Sequence, residues 1–141
     1  MDTQESYRSI MLREVADYFI KEGYTIVAAK ELDNHKRPPA FRNDGYGDQK
    51  NKTPDIVGIH QGKKIYMIGI VRTGENDLES ENSLTEYNVF LDQKDKTTST
   101  PFLLCIIVPS SKMNEMTTLI TRYIHPDYYP RISLIASTKC M

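Results

Sequence analysis

The chain has 141 residues, enough for one domain that buries roughly two-thirds of its unfolded surface. Hydrophobic residues make up 39%, somewhat low, and charged residues 26%, which is ordinary for a globular domain. A net charge of −1 excludes a general positive field, so any binding of nucleic acid must come from a local patch.

The first segment, Ser6 to Gly23, is predicted to be a helix. Met11, Val15, Tyr18 and Phe19 recur at helical spacing, and Leu12 and Ala16 broaden the stripe. Ser6 has the chemistry of an N-cap, and Gly23 stands where a left-handed residue ends a helix. The opening MDTQESYRSI is acidic and polar with no apolar leader segment, which points to a cytoplasmic protein. Tyr24 to Ala29 is rich in strand-forming residues.

From Asp33 to Lys52 the periodicity fails. Pro38-Pro39, Gly45 and Gly47 prevent a long helix, and no alternation marks a strand. A connection of this length inside one domain is a functional loop or a disordered one. Its cations Lys36, Arg37, Arg42, Lys50 and Lys52 suit a nucleic-acid backbone, with Phe41 and Tyr46 placed to stack on bases. Asp33, Asp44 and Asp48 dilute that charge, and a solvated loop accounts for the same residues.

Strands return at Asp55–His60 and Lys64–Thr73, joined by a Gln61-Gly62-Lys63 turn in which glycine supplies positive φ. The second of these is apolar on both faces, as a central strand is. After the polar link GENDLESEN, a helix begins near Ser83, which has capping-box spacing to Glu86. Phe102–Val108 is a buried strand holding Cys105, and it is far too short an apolar run to cross a bilayer, so no membrane is implied. Ser110 or Ser111 caps a third helix with the face Met113, Met116, Ile120, Tyr123 and Ile124, stopped by His125-Pro126. Ile132–Ala136 is a last strand, and Cys140 reads as a free tail thiol. Two cysteines are too few for a disulfide scaffold, and the scattered histidines match no zinc spacing. The expected fold is a single α/β (α+β) domain, 1–141, with a mixed central sheet flanked by helices in the order αβββαβαβ.

This order, with Pro54-Asp55 opening the second strand and Gly62-Lys63-Lys64 turning into the third, resembles the PD-(D/E)XK nuclease-like superfamily. The resemblance covers about Ser6 to Val108. It implies a restriction-endonuclease-like core and a Mg²⁺ site built from Asp55 and the Glu-x-Lys positions of the third strand. Here those positions read Ile70-Val71-Arg72. Isoleucine cannot ligate magnesium, which demands hard oxygen donors. Arginine can clamp a phosphate but stays protonated. The resemblance therefore implies Asp55 as the metal ligand, Arg72 facing it across a shared polar hollow, and a degraded site with weak Mg²⁺ binding or none. Glu14 on the first helix is the best substitute carboxylate, although a solvated helix position is the preferred account of it. Glu86 is accounted for by capping, and Glu75 and Asp77 by a solvated loop.

The function this implies is a nuclease-like domain that leans away from catalysis and acts in nucleic-acid binding, with DNA as partner, or in assembly. The alternatives are a protein-interaction scaffold and an active Mg²⁺-dependent nuclease with a migrated carboxylate.

Overall fold

The computed structural model describes residues 6–141. The part of the leader reading that rests on MDTQE lies outside the described residues. A helix, α1 (Tyr7–Lys21), is followed by three strands, β1 (Tyr24–Ala29), β2 (Ile56–His60) and β3 (Ile65–Val71). Then come α2 (Glu81–Leu91), β4 (Leu103–Pro109), α3 (Met113–Tyr123) and β5 (Ile132–Ser137). The predicted order αβββαβαβ is the observed one. The strands form a mixed five-stranded sheet in the order β1-β2-β3-β4-β5. β1–β2 and β2–β3 are antiparallel, the first pair joined by the long connection and the second by a short turn, while β3–β4 and β4–β5 are parallel and joined through α2 and α3.

Helices pack on both faces. Met11, Leu12, Val15 and Phe19 of α1 lie over Ile56, Met67, Val71, Cys105 and Ile107. On the other face Tyr87, Phe90 and Leu91 of α2 and Met116 and Ile120 of α3 cover Ile68, Ile70, Leu104 and Ile106. β3 is thus central and buried from both sides, as its unbroken apolar run requires. Two glycines let α1 approach closely. A Cβ on Gly58 would lie 2.7 Å from Phe19 Cδ2, and one on Gly69 would lie 2.5 Å from Ile56 Cγ2 and 3.1 Å from Phe19 Cζ.

Local capping is partly as expected. Ser6 accepts the Ser9 N–H at 3.1 Å, and Gly23 has φ +92° beyond the end of α1. α2 starts earlier than the Ser83–Glu86 spacing suggests, because Ser80 is the cap and accepts the Ser83 N–H at 3.1 Å. α3 has no side-chain cap, since a 3₁₀ turn, Ser110–Lys112, leads straight into it. In the β2–β3 turn the positive φ belongs to Lys64 at +55°, not to glycine. The long connection is ordered. Phe41 and Lys52 form a two-way backbone bridge, and the Asn43 side chain ties Gly45, Tyr46 and Lys50 together.

Candidate functional site

Asp55 lies where β2 begins, and every polar group it has is engaged. Its N–H donates to the Gly69 carbonyl at 3.1 Å, and its carbonyl accepts the Lys30 N–H at 2.8 Å. Oδ2 accepts the Val71 N–H at 2.7 Å, so the side chain stands in for the backbone carbonyl that a longer β2 would have offered. Oδ1 takes the Arg8 guanidinium and lies 3.5 Å from Lys30 Nζ. Arg8 comes from the first turn of α1, and its Nε also lies 3.6 Å from Glu31. Burial works against the charge on Arg8, but Asp55 and Glu31 outweigh it and hold its pKa above the usual value.

Arg72 lies just beyond β3 on the other face. It is 7% exposed, and its guanidinium sits 5.2 Å over the Tyr87 ring. Its Nη2 donates to Glu86, and its Nε donates to the Tyr87 hydroxyl at 3.2 Å. Tyr87 in turn donates to the Leu78 carbonyl at 2.8 Å. Burial opposes the Arg72 charge, and Tyr87 and Glu86 more than offset it, so its pKa rises above the usual value.

The expected hollow shared by Asp55 and Arg72 is therefore absent. Asp55 is bound to α1, on the face that carries Val71, and Arg72 to α2, on the face that carries Ile68 and Ile70. Residues two apart on a strand share a face, so the β3 positions on the side of α1 are Met67, Gly69 and Val71. None offers a metal ligand, and at Gly69 there is no space even for a Cβ. The residues present do not fit a magnesium site. Asp55 already has a cationic partner, and among the described residues no group of three His, Cys, Asp or Glu side chains could hold a metal ion.

The substitute carboxylates are engaged elsewhere. Glu14 binds the end of the chain, accepting from Ser137 Oγ, from the Thr138 N–H at 2.8 Å and from Thr138 Oγ1 at 3.0 Å. Partial burial pushes its pKa up, but these hydrogen bonds outweigh that effect and hold it below the usual carboxylate value. It is an anchor rather than a solvated residue. Glu86 pairs with Arg72 instead of capping α2. Asp77 organises its loop by accepting the Thr73 and Gly74 N–H groups at 2.6 and 2.8 Å, whereas Glu75 is exposed as expected. Local spacing gave no sign of Glu86–Arg72 or Glu14–Thr138. Arg8 carried one, because it stands four residues before Leu12 on the buried stripe of α1, where a cation needs a carboxylate.

The loop cations divide. Lys52 is buried, bonded to Asp48 at 2.8 Å and Asn82 at 2.7 Å, and is structural. Arg42 is exposed and lies 2.8 Å from Asp44, while Lys36, Arg37 and Lys50 are exposed. Phe41 is edge-on to Phe90 and Phe102, and Tyr46 packs on the same core, so neither projects as a free stacking platform. Phe41, Tyr66 and Phe102 instead floor an open groove of about 620 Å³, rimmed by Arg42, Lys94 and Lys96. An adjoining recess of about 280 Å³ runs past Lys36 to Val27 and Val57.

The fold and these buried ion pairs define an α+β domain on a mixed sheet with helices on both faces. No family model matches the chain, and no curated protein and no solved structure matches it significantly. Among the described residues no helix is long and apolar enough to cross a membrane.

Proposed function

We propose that this is a non-catalytic domain on a restriction-endonuclease-like plan, acting by binding rather than by cleavage. The observation that carries the proposal is the closure of Asp55. Both of its oxygens are taken, by Arg8 and Lys30 on one side and the Val71 N–H on the other. Phosphodiester hydrolysis through a metal would require displacing Arg8, and Met67, Gly69 and Val71, the β3 residues on that face, would still offer no hard oxygen donor.

Nucleic acid is the partner this reading favours, with the groove over Phe41, Tyr66 and Phe102 as its seat. The half-buried Tyr66 there offers apolar surface for a base, and Lys36, Arg42, Lys94 and Lys96 supply charge for the backbone. Asp44 and Asp95 on the same rim keep the field weak. A protein-interaction scaffold is the second reading, favoured by the net charge of −1.

Two assays test this. Incubated with Mg²⁺ or Mn²⁺, the chain is expected to leave single- and double-stranded DNA and RNA intact; metal-dependent cleavage abolished by Asp55→Asn would overturn the non-catalytic reading. Fluorescence anisotropy with a labelled single-stranded oligonucleotide is expected to show binding that weakens steeply with salt. The double variant Lys94→Glu/Lys96→Glu should lose about tenfold or more in affinity, by removing backbone contacts. Absence of binding at low salt would leave the scaffold reading in its place.

A further inference from the structure

The two edges of the sheet are treated differently. β1 is guarded: its register with β2 shifts between Ile26 and Ala28, and the following connection bonds back onto its end through Lys36 O to the Ala29 N–H at 2.9 Å. An irregular register and a covering loop are standard ways of keeping an edge from pairing with another chain. β5 has neither. It pairs with β4 in unbroken register from Ile132 to Ser137, and its sequence ISLIAS contains no charge, proline or glycine. Among the described residues, the Ile132 N–H is already taken by the Tyr129 carbonyl, and no backbone bond from outside the β4–β5 ladder reaches positions 133–136. Ile132, Ser133, Leu134 and Ile135 are only half-buried, and Ala136 is exposed. Such a row of unpaired amides and carbonyls between apolar side chains is a template for a further strand.

We infer that β5 is a dimerisation edge, where a second copy of this chain pairs antiparallel about a two-fold axis and joins two sheets into one. An uncharged strand is complementary to itself, as an isologous contact requires. The rim beside it is self-complementary too. Asp17 and Lys21 of α1 flank a groove floored by Ile107 and Ile135, with Ala136 on its edge. The two-fold axis of such an antiparallel pairing stands perpendicular to the sheet, so the α1 faces of both copies lie on the same side, each carrying the opposite charges of Asp17 and Lys21 beside the seam. Pairing also covers Ile132 and Leu134 on the side of α3 and Ile135 on the side of α1. This inference goes beyond the binding reading above and depends only on the sheet.

Sedimentation equilibrium of the full chain, from about 5 to about 200 µM, tests it through mass action. The mass is expected to rise from 16.2 kDa towards twice that value. Ser133→Lys/Ala136→Lys, which places charge on the edge, should stay monomeric with an unchanged circular dichroism spectrum. A wild type that remains monomeric throughout, or a lysine variant that associates equally well, overturns the inference. Should the lysines disturb folding, amide exchange in the wild type decides. The 133–136 amides should exchange more slowly at the higher concentration, and exchange indifferent to concentration overturns the dimer. A monomeric result leaves the closure of Asp55 untouched, and a cleavage result leaves β5 untouched.

Discussion

A buried carboxylate with two cationic neighbours has different consequences from a metal ligand. In Asp55→Ala, Arg8 loses its main partner and the Val71 N–H loses its acceptor. Arg8 remains about a third exposed, which limits the damage. We expect a loss of about 2–3 kcal/mol, read from urea unfolding at neutral pH. An enzyme ligand would show the opposite sign, since removing a crowded metal-site carboxylate usually relieves repulsion. Arg72 belongs to a drier pair, with Glu86 only 14% exposed. Arg72→Ala should cost about 3–4 kcal/mol, whereas Arg72→Met combined with Glu86→Leu should be close to neutral, because both charges then leave together. Asp55 was legible in the sequence as a residue marking a strand entrance. Its partner Arg8 lies 47 positions away, beyond any local pattern. The facing of Arg72 was misread for a physical reason: a strand apolar on both sides has no alternation to say which parity meets which helix.

At the level of elements, the chain order could be read because strand-rich runs and amphipathic runs alternate cleanly between turn residues. The start of α2 was less legible. Ser83 and Glu86 have the spacing of a reciprocal cap, yet Ser80 holds the Ser83 N–H while Glu86 answers a charge on another element. Ser80→Ala should therefore destabilise by about 1 kcal/mol in thermal or urea unfolding. Close packing of α1 gives a second test. Gly69→Ala should cost about 1–3 kcal/mol, because Ile56 and Phe19 must shift to admit a methyl group. The Glu14 anchor adds a pH dependence. Its folded pKa is depressed, so its contribution is present above the ordinary glutamate value of about 4.3 and is lost as pH falls through the lower folded value. The Thr138 amide resonance should follow this step in an acid titration, and Glu14→Gln should abolish it.

For the whole molecule, the sheet ends carry ion pairs on both faces, a partly exposed one under α1 and a buried one under α2, and the buried Lys52 is paired within the long connection. No buried side-chain nitrogen or oxygen among the described residues is left without a partner. The interior therefore has nothing spare to offer a ligand, and binding falls to the surface, to the groove over Phe41, Tyr66 and Phe102 and to the outer edge of β5. The long connection contributes to both stability and surface. Its aromatic residues join the core, while its exposed cations remain outside. Composition could not separate these roles, because Lys52 and Lys50 look alike in sequence and differ only in what the fold brings beside them.

Both thiols are fully enclosed, including Cys140 one residue from the end of the chain, where an open tail was expected. Enclosure pushes the Cys105 pKa up to about 12, which leaves almost no reactive thiolate at neutral pH. The pair therefore serves as two built-in clocks for opening of the native state. Cys140 should react with an aromatic disulfide reagent when the Glu14 latch releases, and Cys105 only when the sheet comes apart. Single-cysteine variants, Cys105→Ala and Cys140→Ala, would time the two events separately, with the faster modification at Cys140.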